Sequence, residues 1–101
     1  AMSRAMPLQA LLQGEPVLPA SFNPVLRGLT ADSRALRAGD AFIALAGATT
    51  HGLRHADQAR AAGASVILFE PPAPAGQPAG DDAVAVPGLR ARQGELADRF
   101  Y

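Results

Sequence analysis

Apolar and polar positions alternate along this chain in blocks of two kinds, some with helical spacing and some continuous. Leu8, Leu11 and Leu12 recur at helical spacing, and Pro7 suits a first helical turn, so residues 6–13 read as a helix that Gly14 stops. Residues 15–24 hold three prolines and read as an irregular connection. Residues 25–30 form a short strand broken by Gly28, followed by turns over 31–34 and 36–40, where Gly39 supplies a cheap positive φ. Residues 41–46 are a continuous apolar run of strand length, the pattern of a strand buried on both faces.

A polar loop over 47–52 leads to a helix over 53–62. Its Leu53, Ala56 and Ala59 face inward, Arg54, Asp57, Gln58 and Arg60 face water, and Gly63 ends it. Residues 65–69 are the strongest strand. Strand, helix, strand in this order predicts a right-handed βαβ crossover. Residues 71–82, with four prolines and two glycines, read as a loop in which Asp81 and Asp82 are solvated. A last strand over 83–86 precedes a helix over 89–101, with Leu96, Ala97 and Phe100 inward, Arg90 and Arg92 on an exposed face, and Glu95 and Arg99 paired at i,i+4. The expected fold is a small three-layer α/β/α domain with a mixed, mostly parallel sheet. Its expected core contains Phe42, Ile43, Leu45, Val66, Ile67, Leu68 and Phe69, with Leu96 and Phe100 packed on the sheet.

Length and composition narrow the function classes. A chain of 101 residues supports one domain and one core. Its net charge is zero and its basic residues are scattered, so no nucleic-acid footprint is expected. There is no cysteine for a disulfide or a thiolate metal site. His51 and His55 are four apart, but no nearby carboxylate completes a metal site, and Gly52 makes His51 a loop residue. No apolar run reaches the length of a membrane span, and the first residues lack the order of a signal peptide, so a cytoplasmic setting is expected. Ala1 ahead of Met2 reads as the remnant of a tag.

Two places carry candidate chemistry. The cluster Asp32, Ser33 and Arg34 follows a strand, and Gly47 with Ala48, Thr49 and Thr50 follows the next one. From the residues alone the first is either a solvated turn, in which Asp and Ser bond their own backbone, or a site where Ser33 meets a ligand oxygen. The second is either an ordinary strand-to-helix connection or a turn whose amides cradle an anion or a base edge. Neither a P-loop nor a dinucleotide fingerprint occurs, which disfavours ATP and NAD sites in this chain. No nucleophile–base arrangement has support, so no catalytic residue is assigned.

The ordered run Asp32-Ser33-Arg34, Ala38-Gly39-Asp40, Phe42-Ile43-Ala44-Leu45, Gly47, His51-Gly52, Gln58-Ala59, Gly63-Ala64 and Val66-Ile67-Leu68-Phe69 resembles the amino-terminal, nucleotide-sugar-binding domain of the Mur ligases. The similarity runs from Leu8 to Tyr101 and is strongest from Leu29 to Glu70. Within the family it is most similar to the branch that adds the third residue of the peptidoglycan stem peptide. Arg99-Phe100-Tyr101 looks like the helix end that precedes the family's ATP-binding domain. The resemblance implies that the domain holds the UDP part of UDP-N-acetylmuramoyl-L-alanyl-D-glutamate through Ala31, Ser33, Ala48, Thr49 and Thr50. Asp32, Arg34 and Gly47 would support the loops.

Two departures stand out. The family commonly has His-Gln-Ala where Ala48-Thr49-Thr50 stands, and Asp where His51 stands, so imidazole stacking on uracil is not carried over. The implied reaction is amide formation driven by ATP with Mg2+, in further domains of a longer parent enzyme. The chain alone is expected to bind and not to catalyse, with no cofactor of its own. The lysine-free, alanine- and arginine-rich composition reads as a GC-rich source and favours diaminopimelate as the residue added. The competing readings are the family's D-Ala-D-Ala-adding branch and a non-enzymatic α/β binding domain.

Overall fold

A computed structural model describes residues 5–12, 23–47, 51–73, 80 and 82–100. Four short strands, β3 (Gly28–Thr30), β4 (Asp40–Ala44), β5 (Val66–Phe69) and β6 (Ala83–Ala85), lie side by side in chain order and pair in parallel throughout. A separate antiparallel pair joins β1 (Met6–Pro7) to β2 (Val25–Leu26). The helices are α1 (Leu8–Leu12), α2 (Ala56–Ala61), entered through a 3-10 turn at Gly52–His55, and α3 (Leu89–Phe100).

The continuous apolar strands divide their side chains between two cores, as a period of two requires. Ala41, Ile43, Val66, Leu68 and Val84 pack with Leu8, Leu11 and Leu12 of α1 and with Leu89, Leu96 and Phe100 of α3. Phe42, Ala44, Ile67 and Phe69 pack on the opposite face with Leu53, Ala56, Ala59 and Leu36. The sheet is therefore the middle of three layers. Of the expected core only Leu45 is partly exposed, packed against the first cluster. Burying a side chain of Leu or Phe size contributes roughly 1.5–3 kcal/mol. Two arginines of α3 tie the first layer down: Arg92 Nη2 donates to the Leu12 carbonyl at 3.3 Å and Arg99 Nη1 to that of Leu11. They satisfy carbonyls that the end of α1 leaves open.

Several elements differ from the sequence reading. The single strand expected over 25–30 is two strands in two sheets. The change falls at Arg27, whose N–H donates to the Gly39 carbonyl at 2.9 Å instead of continuing a ladder. The run expected over 41–46 ends as a strand at Ala44, and Ala46 pairs with His51 in an isolated bridge. The helix expected over 53–62 begins as a 3-10 turn because its start lies against strand backbone. A Cβ on Gly52 would come within 2.8 Å of Ala44 Cα and Leu45 N. Gly63 closes that helix at φ +102°, also with no room for a Cβ beside Ala38. Ala97 is only partly buried. Residues 15–22 of the expected connection, and 74–79 and 81 of the expected loop, lie outside the described residues.

Candidate functional site

Parallel neighbours end on the same side. The turn after β3, the segment after β4 and Glu70 after β5 therefore all leave the sheet at its carboxyl edge. Open α/β sheets hold ligands at that edge.

The turn after β3 is built from its own side chains. Thr30 Oγ1 accepts from the Asp32 N–H at 3.1 Å, and Asp32 Oδ1 accepts from the Arg34 N–H at 2.9 Å and from Arg34 Nε at 3.2 Å. The Ala35 N–H donates to the Asp32 carbonyl at 3.0 Å. The Arg34 backbone amide first, and its guanidinium second, hold the Asp32 carboxyl below the usual carboxylate range. The Arg34 side chain is itself 83% exposed.

Ser33 points inward and is 8% exposed. Its hydroxyl donates to Gln58 Oε1 on α2 at 3.1 Å. Ala31, Asp32, Ser33 and Arg34 line one side of a depression of about 390 Å3, and His55 and Gln58 line the other. That volume lies in the range of small-molecule sites. Gly47 is exposed beyond the end of β4 and does not line the depression. Ala48, Thr49 and Thr50 lie outside the described residues.

The ends of that second segment are nonetheless fixed. The Ala46 N–H donates to Glu70 Oε1 at 2.9 Å, and Arg90 Nη2 donates to the Ala46 carbonyl. The Gly52 N–H donates to the Leu45 carbonyl at 2.8 Å. His51, 7% exposed, accepts from the Leu53 N–H through Nδ1 at 3.0 Å, and its Nε2 lies 2.7 Å from the Glu70 carbonyl. These partners define a neutral ring with its proton on Nε2. His51 thus caps the 3-10 turn as an aspartate would and also reaches the end of β5, which an aspartate could not do as a donor.

Sequence reasoning missed the partners of four side chains. Gln58 was expected to face water, as was Arg60. Gln58 is exposed as expected but also meets Ser33, and Arg60, partly buried, grips Asp82 with Nε–oxygen distances of 3.0 and 2.9 Å and Nη2 at 2.8 Å. Asp82, expected to be solvated, is therefore tied to α2, and the Arg60 hydrogen bonds lower its pKa. Arg90 is exposed as expected and also bonds the Ala46 carbonyl, whereas Arg92, expected on the same exposed face, is partly buried against the Leu12 carbonyl. The one available signal was the i,i+3 spacing of His55 and Gln58, which places them on one helix face.

The fold and this edge define a class. A family model described as "Mur ligase family, catalytic domain" matches residues 25–101, and the chain belongs to the Mur ligase family. Within the family it is 58% identical over 100 residues to the UDP-N-acetylmuramoyl-L-alanyl-D-glutamate--2,6-diaminopimelate ligase of Xanthomonas campestris, covering 99% of this chain and 20% of the relative. The chain thus spans about a fifth of the curated relatives it matches. A solved UDP-N-acetylmuramoyl-L-alanyl-D-glutamate--2,6-diaminopimelate ligase superposes with a TM-score of 0.73 at 25% identity, over 98% of this chain and 19% of that one. MurF from Acinetobacter baumannii superposes with a TM-score of 0.65 at 24% identity, over 95% and 21%, and shares the fold.

Proposed function

We propose that this chain is the substrate-nucleotide-holding domain of a Mur ligase that joins diaminopimelate to UDP-N-acetylmuramoyl-L-alanyl-D-glutamate in peptidoglycan synthesis, in the cytoplasm. The observation that carries the reading is the depression built by Ala31, Asp32, Ser33 and Arg34 at the carboxyl edge of the sheet. Identities of 58% and 52% to curated diaminopimelate ligases over 100 residues favour this branch over the D-Ala-D-Ala-adding one. The uracil is read by backbone groups of Ala31 and of Ala48, Thr49 and Thr50. Ser33 meets the ribose or diphosphate, while Asp32, Arg34 and Gly47 hold the two segments. The chain is one domain of a longer enzyme whose ATP-binding and carboxy-terminal domains carry the chemistry.

The proposal assigns ATP and Mg2+ to those further domains and not to this chain. There is no lysine to meet the phosphates, and among the described residues no three His, Cys, Asp or Glu side chains gather as a metal site. Titration of UDP into isotope-labelled chain tests the reading. Amide shifts are expected at residues 31–34 and 47–50, and Ser33→Ala should weaken binding about threefold to tenfold without unfolding the domain. No shift at millimolar UDP, or shifts confined to residues 71–82, would reject it. In the full-length parent, ligation of D-Ala-D-Ala in place of diaminopimelate would select the other branch.

A further inference from the structure

Ser33 has one proton, and it is already committed. Its hydroxyl donates to Gln58 Oε1 at 3.1 Å. With 8% of the residue exposed, few other directions are open to it. In this arrangement Ser33 turns lone pairs, not a proton, toward the depression. An oxygen anion entering beside it would meet repulsion. Re-aiming the proton alone would leave Gln58 Oε1 facing the lone pairs of Ser33 Oγ, which is equally unfavourable.

A half-turn of the Gln58 amide about its last bond resolves both conflicts. It puts Nε2 where Oε1 stood, at nearly the same distance, so that the amide donates to Oγ. The terminal torsion of glutamine is broad and two-fold, and Gln58 is exposed, so little opposes the turn. Ser33 is then polarised by one hydrogen bond and free to make a charge-assisted one. Arg34 lines the same depression and adds positive charge, which Asp32 partly offsets.

Resting on the nucleotide-binding reading above, we infer that Gln58 is a positioning residue that sets the direction of the Ser33 O–H, and that its amide turns over when an anionic oxygen of a nucleoside diphosphate enters the depression. Gln58 touches no ligand atom in this account; it acts through Ser33.

The experiment is a double-mutant cycle on the chain, with UDP and uridine as probes, followed by NMR. Gln58→Met keeps the length of the side chain and removes the amide. It is expected to weaken UDP about threefold to tenfold in the wild-type background and less than twofold in the Ser33→Ala background. The effect on uridine should be under twofold in both. The side-chain NH2 resonances of Gln58 should shift with UDP in the wild type and stay in place in Ser33→Ala, a signature that a purely structural role would not produce. Equal losses in both backgrounds would make Gln58 an independent contact and overturn the inference. So would a wild type that binds UDP and is weakened by Ser33→Ala yet is indifferent to Gln58→Met. A coupling as large with uridine as with UDP would move the contact to the ribose and overturn the anion assignment. A wild type that does not bind UDP at all would overturn the nucleotide-binding reading, and this inference with it.

Discussion

A small hydroxyl held away from water is stable only with a partner, and that partner fixes what it can offer a ligand. Ser33 with Gln58 is one such pair, and His51 between the Leu53 amide and the Glu70 carbonyl is another. His51→Ala removes a helix cap and a bridge between two segments. It should lower stability by roughly 0.5–2 kcal/mol in urea unfolding. Restoring the cap alone, with His51→Asp, should recover part of that loss; an Asp variant no better than Ala would show that the cap contributes nothing. Gly52→Ala is a sharper test, because the added Cβ meets Ala44 Cα and Leu45 N at 2.8 Å, and strand backbone cannot move aside as a side-chain tip can. Destabilisation of roughly 1–3 kcal/mol is expected. At this scale the sequence was legible where a residue speaks through its own neighbours: Asp32 bonds its own turn, and Gly39 takes its positive φ at 93°. Gln58, Glu70 and Arg90 were not legible. Their partners lie 19 or more positions away in the chain, and only the fold brings them together.

Strand β5 is the element on which both cores depend. Val66 and Leu68 face one helix layer, and Ile67 and Phe69 face the other. Ile67 is fully buried, so Ile67→Ala should cost roughly 2–5 kcal/mol in chemical denaturation, and a neutral result would contradict the parallel register of β4 and β5. The link from α2 to the start of β6 is electrostatic: Arg60 holds Asp82, whose carboxyl is shifted below its ordinary value first by the Arg60 side-chain hydrogen bonds. Asp32 and Glu95 are lowered in the same direction, by Arg34 and by Arg99 with Arg92. With native values below unfolded ones, the unfolded chain binds more protons in the interval between them. The stabilisation is therefore complete above the ordinary carboxylate range, near pH 4, and is lost as pH falls through the lowered native values. Thermal midpoints should fall on acidification below about pH 4. Asp82→Asn should flatten that slope; an unchanged slope would show that the pair contributes nothing to the acid transition. The two apolar strand runs were readable because burial on both faces leaves a continuous hydrophobic signature. Residues 25–30 were misread because the exchange between two sheets at Arg27 depends on the distant Gly39 carbonyl, which no local pattern announces.

On the scale of the whole molecule, the parallel sheet brings the described candidate groups to one edge. The Asp32-Ser33-Arg34 turn follows β3, Ala46 and Gly47 follow β4, and Glu70 follows β5. On the proposed reading these groups hold the substrate nucleotide, and the triphosphate chemistry of the ligase belongs to other domains of the parent. The chain has no lysine, the phosphate-cradling Gly-x-x-x-x-Gly-Lys pattern does not occur, and of the carboxylates at this edge Asp32 is paired with Arg34 and Glu70 accepts from the Ala46 N–H. The proposed reading therefore expects this edge to orient a bound nucleotide and not to activate a carboxylate by phosphoryl transfer. The chain should therefore separate binding from turnover. Incubated with Mg2+ and ATP, with or without UDP-N-acetylmuramoyl-L-alanyl-D-glutamate and diaminopimelate, it should release phosphate at the rate of the buffer alone. The same preparation should give UDP-dependent amide shifts at residues 31–34. Phosphate release that rises in proportion to chain concentration and disappears in a Ser33→Ala or Arg34→Ala variant would place catalysis at this edge and reverse the assignment of the site as a holder of substrate.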